Sequence, residues 1–130
     1  MKKIFGLFIA VALLSSCENN TELQIGKKTT MEVNPVFNAG KVALGEVIKA
    51  KFKVENTGDY ALVLSDVKGS CSCTVADWTK DPIAPGESGI VEAQVNTESF
   101  SPGKISRSIR ILSNTEPNLT IVNVEATIIR

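Results

Sequence analysis

Val47-Ile48-Lys49-Ala50-Lys51-Phe52-Lys53-Val54-Glu55 is the stretch that decides the fold. In an extended chain Ile48, Ala50, Phe52 and Val54 fall on one side, and Lys49, Lys51, Lys53 and Glu55 on the other. A helix would scatter those lysines around its circumference, so the stretch is predicted to be a half-buried strand. Asn56-Thr57-Gly58-Asp59 supplies a turn, with the glycine free to take positive φ. Residues 61–68 return as a second strand with Leu62 and Leu64 on one face. The same period of two marks Val91, Ala93 and Val95, then Ile105, Ile109 and Ile111, then Val122, Val124, Ala126 and Ile128. A first strand is expected around Met31–Phe37, with Pro35 placing it at a sheet edge. Turn signals fall between the runs at Pro85-Gly86, Pro102-Gly103 and residues 114–118. The prediction is an all-β, antiparallel two-sheet immunoglobulin-like sandwich of about seven strands over residues 31–130, without helix. A small closed barrel is the alternative architecture.

Upstream of this body the chain reads as an address. Lys2 and Lys3 precede an apolar run from Ile4 to Leu14, followed by Ser15 and Ser16. That is the layout of a secretory signal, and the run is shorter than the ~18 residues a membrane-spanning helix needs. Leu14-Ser15-Ser16-Cys17 resembles the lipobox of bacterial lipoproteins, which implies cleavage after residue 16 and fatty acylation of Cys17. Residues 17–30 are mostly polar and are read as the lipidated cysteine and a flexible tether. The whole chain has 14 basic and 14 acidic side chains; loss of Lys2 and Lys3 with the signal would leave 12 against 14. A weakly acidic domain offers no cationic field for nucleic acid or anionic lipid, so the lipid itself is expected to hold it at a membrane.

There is no histidine, which removes Ser-His-Asp and Cys-His catalysis and His-ligated zinc. The remaining chemistry lies in Cys71 and Cys73, within Gly69-Ser70-Cys71-Ser72-Cys73-Thr74-Val75, where the row of strands is expected to break until Pro85-Gly86. Residues two apart on a straight strand have parallel Cβ vectors, so a Cys71–Cys73 disulfide requires a bend, which Gly69-Ser70 makes feasible. So small a ring would be easily reduced and would close almost no loop. The same pair could bind a soft ion, Cu(I) above all, since it offers two thiolates without imidazole, and Met1 and Met31 are the only thioethers. A redox-active dithiol and two buried free thiols are further readings.

Other candidates have plainer explanations. Tyr60 and Trp78 could form a ligand platform, although a lone Trp beside a loop more often covers a core. Asp77, Asp81 and Glu87 could pair as acid and base, but turn carboxylates are usually just solvated. Lys49, Lys51 and Lys53 could meet an acidic partner, or simply keep a face wet or an edge blunt. Asn19-Asn20-Thr21 and Asn118-Leu119-Thr120 match a glycan acceptor pattern by chance.

Several motifs in one order resemble a known family. They are Asn56-Thr57-Gly58, Leu64-Ser65-Asp66-Val67, the Cys71-Ser72-Cys73-Thr74 segment, the turn from Pro82 to Gly89, and Ser113-Asn114-Thr115-Glu116-Pro117. The order is similar to that of the bacterial proteins grouped as domain of unknown function 1573, relatives of the Hydin-like immunoglobulin folds. The likeness runs over residues 35–129, with Ser72 where the family usually has glycine; a Cβ there resists positive φ. It implies the sandwich fold and an envelope location, and it carries no activity. The expectation is a lipid-anchored envelope protein that binds or assembles with another envelope protein and is not an enzyme. A strand edge or the Cys71–Pro85 loop is expected to meet the partner. A thiol protein for Cu(I) is the alternative.

Overall fold

A computed structural model describes residues 27–130. The signal-like segment 1–16 and the lipidation candidate Cys17 lie outside them. Eight strands follow in order and there is no helix among the described residues: β1 (Met31–Val33), β2 (Val36–Ala43), β3 (Val47–Asn56), β4 (Leu64–Gly69), β5 (Thr74–Trp78), β6 (Ser88–Asn96), β7 (Gly103–Ser113) and β8 (Leu119–Ile129). They form two four-stranded sheets, β1-β3-β6-β5 and β2-β8-β7-β4, packed as a sandwich and not closed into a barrel.

The opening stretch behaves as its alternation dictates. β3 buries every second residue along its length, and β6, paired antiparallel from Val47↔Asn96 to Glu55↔Ser88, does the same. Their inward Ile48, Ala50, Phe52, Val54, Val91, Ala93 and Val95 meet Ile109, Ile111, Val122, Val124 and Ile128 of the other sheet. Phe37 closes one flank, edge-on to Phe52 at 6.1 Å between ring centres. Lys49, Lys51 and Lys53 point to solvent, with Lys51 3.5 Å from Glu92 on the neighbouring strand. β3 is internal to its sheet, so the lysines keep a face wet and blunt no edge.

Four details depart from the sequence expectation. The expected first strand is two, because Pro35 lacks the N–H needed to continue a ladder. β1 pairs antiparallel with β3; beyond Pro35 the chain changes sheets and β2 runs parallel to β8, whereas the other strand pairs among the described residues are antiparallel. The tether is shorter than expected, since Thr29 is already buried and donates its N–H to Asn114 O at 3.0 Å. Gly58 is not at positive φ; a Cβ there would stand 2.7 Å from Thr30 N, so the glycine admits the incoming chain. Finally, the break at the cysteines is brief, because β5 fills part of the region expected to be loop. Its alternation is inverted, with Thr74 buried and Val75 69% exposed, which hides it from a search for apolar faces.

One pole of the sandwich gathers the N-terminal segment, the β3–β4 and β5–β6 connections and the β7–β8 turn. Asn56 ties them together with no exposed surface. Its Oδ1 accepts from Thr29 Oγ1 and Gly58 N, and its Nδ2 donates to Tyr60 O and Ile83 O. Asn114 works beside it, accepting from Val63 N and donating to Ala61 O and Lys27 O. Replacing Asn56 strands several buried polar groups, each costing about 1–3 kcal/mol. Asn56→Ala is therefore expected to lower unfolding free energy by about 3 kcal/mol in urea titration; a change under about 1 kcal/mol would contradict the role given to this amide.

Candidate functional site

The opposite pole holds the cysteines. Gly69 ends β4 in one sheet and Thr74 begins β5 in the other, so residues 70–73 are the crossover between sheets. The crossover is anchored on both sides: Ser70 N donates to Ser108 O at 2.9 Å, and Asn96 N donates to Cys73 O at 2.9 Å. Within it Thr74 N donates to Cys71 O at 3.2 Å, closing a four-residue turn. Among the described residues only glycines have positive φ, so Ser72 sits in this turn without backbone strain despite its Cβ. The bend required to bring the sulfurs together is thus supplied by the turn, and Cys71 and Cys73 are joined as a disulfide with Cα atoms 5.2 Å apart.

Thr74 is the residue the sequence reading passed over. It is 9% exposed, and its Oγ1 lies 3.6 Å from Cys71 Sγ and 3.8 Å from Cys73 Sγ. Its methyl group is pressed on Gly69, where a Cβ would come within 2.5 Å of Thr74 Cβ and 2.7 Å of Cγ2. Gly69 therefore seats the threonine, and the threonine presents its hydroxyl to both sulfurs. The only signal in the sequence was a hydroxyl residue directly after the second cysteine.

The sulfurs are not equivalent. Cys73 packs against the core and holds a place in the β5–β6 ladder, whereas Cys71 lies outside that packing. Reduced, the pair would offer two thiolates to a soft ion such as Cu(I). Met31 gives it no third ligand, since its Sδ accepts from Ser113 Oγ at the other pole, and no cluster of three His, Cys, Asp or Glu occurs among the described residues.

The other sequence candidates do not converge. Trp78 donates its indole N–H to Leu64 O at 3.1 Å, covering the seam between the sheets, with Lys80 Nζ over its ring. Tyr60 lies by the N-terminal pole under Lys27 Nζ, so the two rings form no platform. Asp77 accepts from Trp78 N and pairs with Lys80, while Asp81 and Glu87 are solvated. Around the crossover stand Leu44, whose N–H bonds Ile129 O, and the turn residues Gly45 and Glu46, both bonded to Thr97 Oγ1. Leu44, Val47, Val75 and Ile129 are all exposed apolar side chains of this half of the molecule.

Two four-stranded sheets, with the chain changing sheet between β1 and β2 and again between β4 and β5, make an immunoglobulin-like sandwich similar in fold to PapD-like domains. A family model described as protein of unknown function (DUF1573) matches residues 21–128, and the chain belongs to that family. Among solved structures it is similar to a protein of unknown function from Porphyromonas gingivalis W83, with TM-score 0.69 and 24% identity over 84% of this chain and 51% of that one. It is also similar to a PapD-like domain of human CEP192, with TM-score 0.62 and 10% identity over 79% and 87% of the two chains. The secreted serine protease VesC from Vibrio cholerae contains a similar fold, with TM-score 0.59 and 14% identity over 77% of this chain and 23% of that one. The chain thus spans about half of the Porphyromonas protein and a quarter or less of the protease, and at these identities the likeness is one of fold. Comparison with curated protein sequences gave no match.

A bridge that spans a single residue restrains the unfolded chain little. The Cys71→Ser/Cys73→Ser double variant is expected to stay folded and to lose no more than about 1.5 kcal/mol. A loss above about 3 kcal/mol on denaturant titration would show that the bridge is a structural staple.

Proposed function

We propose that this protein is a lipid-anchored module of the bacterial cell envelope that binds another envelope protein through its crossover pole, without catalysing a reaction. The observation that carries this reading is the polarity of the fold. Thr29 and Thr30 bring the chain in beside Asn114 and Thr57, at the end of the sandwich away from Cys71 and Cys73. If Cys17 is the lipidated residue, nine residues lie between it and Lys27, and the ten Cα steps reach at most about 35 Å. The ten-residue β3 adds roughly 33 Å, so the crossover pole would face away from the membrane.

Strand addition is the less favourable way for this domain to meet a partner. β1 has three residues, β2 is interrupted by a bulge between Asn38 and Lys41, and β4 has one between Leu64 and Asp66. On β5, Thr74 N is used by the turn and Trp78 N by Asp77, which leaves little of the outer edge to pair. Short, bulged and locally capped edges resist pairing with another chain. The exposed apolar side chains at the crossover pole are the better contact.

Radiolabelled palmitate is expected to enter the expressed protein and to be absent from Cys17→Ser, which should leave the membrane fraction. A photo-crosslinker at Val47 should capture an envelope protein, and one at Asp59, by the N-terminal pole, should not. Absence of label from the wild type, or crosslinks confined to Asp59, would refute the proposal.

A further inference from the structure

The start of β5 inverts the apolar-in, polar-out alternation that β3 keeps from Ile48 to Glu55. At Thr74-Val75 the hydroxyl residue goes in and the apolar one goes out, and such local inversions concentrate at functional sites. The buried hydroxyl has the two sulfurs as its partners. A disulfide sulfur is a poor acceptor, whereas a thiolate is a strong one, so the hydroxyl gains most when the bridge opens. The backbone is held on both sides by Ser108 and Asn96 and across the turn by Cys71 O, so opening the bridge leaves these bonds in place.

We propose that Cys71–Cys73 is a thiol-exchange centre that accepts two electrons from a dithiol of the partner met by this pole. The proposal rests on the crossover pole as the contact surface and not on the lipid anchor. A partner thiolate attacks Cys71 Sγ, the sulfur not packed on the core. A bond forms between the two proteins, the Cys71–Cys73 bond breaks, and its electron pair leaves on Cys73 Sγ, which Thr74 Oγ–H hydrogen-bonds. The partner's second thiolate then attacks its own first sulfur and releases Cys71 as a thiolate. The partner departs as a disulfide, and the two protons its thiols gave up are taken from water by Cys71 and Cys73. Val47, in register with Asn96, and the outward Val75, in one row with Gln94 and Lys49, give the incoming protein a contact of two apolar side chains and one lysine beside the bridge.

The test uses full-length protein in detergent, with dithiothreitol as the probe dithiol at neutral pH. Alkylation and the mass of the tryptic fragment Gly69–Lys80, which holds Cys71 and Cys73 but not Cys17, report the bridge. A hydrogen bond to a charged group should make reduction in the native protein about tenfold faster than in a synthetic, cyclised Gly69–Lys80 peptide. Thr74→Val should slow it by about tenfold while Thr74→Ser stays within about twofold, both variants being first shown to be folded by thermal melting. The comparison with the peptide needs no variant, so it stands even if Thr74→Val does not fold. Reduction of the native protein no faster than of the peptide, or equal rates in folded Thr74→Val and Thr74→Ser, would overturn the proposal. The partner's identity does not enter, so a failed crosslink and a failed exchange assay are separate results.

Discussion

The buried amide of Asn56 is the constraint on which the rest of the structure depends. A fully buried side chain with two donors and two acceptor sites is tolerated only when they are paired. Here they are paired with three different connections: the incoming segment at Thr29, the β3–β4 turn at Gly58 and Tyr60, and the β5–β6 loop at Ile83. Its main chain adds the β5–β6 turn again, through Gly86 N and Glu87 O. One residue at the end of β3 thereby fixes how both sheets receive their loops at that pole. The Ser113–Thr115 hydroxyl pair and Thr115's bond to Pro117 O do the same for the β7–β8 turn.

This division explains the arrangement of the family's motifs. Asn56-Thr57-Gly58, the Pro82–Gly89 turn and Ser113–Pro117 all build the N-terminal pole, where the buried polar side chains are consumed in holding the chain. The Cys-x-Cys-Thr segment is alone at the other end. Its bridge spans one residue and its hydroxyl faces only sulfur, so it adds little to the hold of sheet on sheet. The sandwich thus separates a framework at one pole from a chemically distinct feature at the other.

Much of the architecture was legible in the residues. Ile48 to Val54 and Val91 to Val95 announce half-buried strands because each has one dry face and one wet one. What stayed hidden has a common cause: alternation reports burial, and it is silent on direction and partner. It therefore could not tell that β2 runs parallel to β8, or that Pro35 marks a change of sheet. β5 escaped because Thr74 and Val75 invert the pattern, and the same inversion concealed Thr74 as a site residue. The roles of Gly69 and Gly58 depend on Thr74 and Thr30 lying within van der Waals reach, a tertiary fact with no local signature.

With Cys17 acylated, as proposed, the decisive property is which end of the sandwich faces the bilayer. Glu46 lies in the turn beside the crossover and Asp59 in the turn beside Asn56, and both are exposed. The acylated protein would be reconstituted into vesicles and labelled at one position or the other, and energy transfer to a headgroup acceptor measured. Glu46 should lie farther from the membrane surface by on the order of 30 Å, the length of a ten-residue strand. Equal distances, or Asp59 the farther of the two, would contradict it.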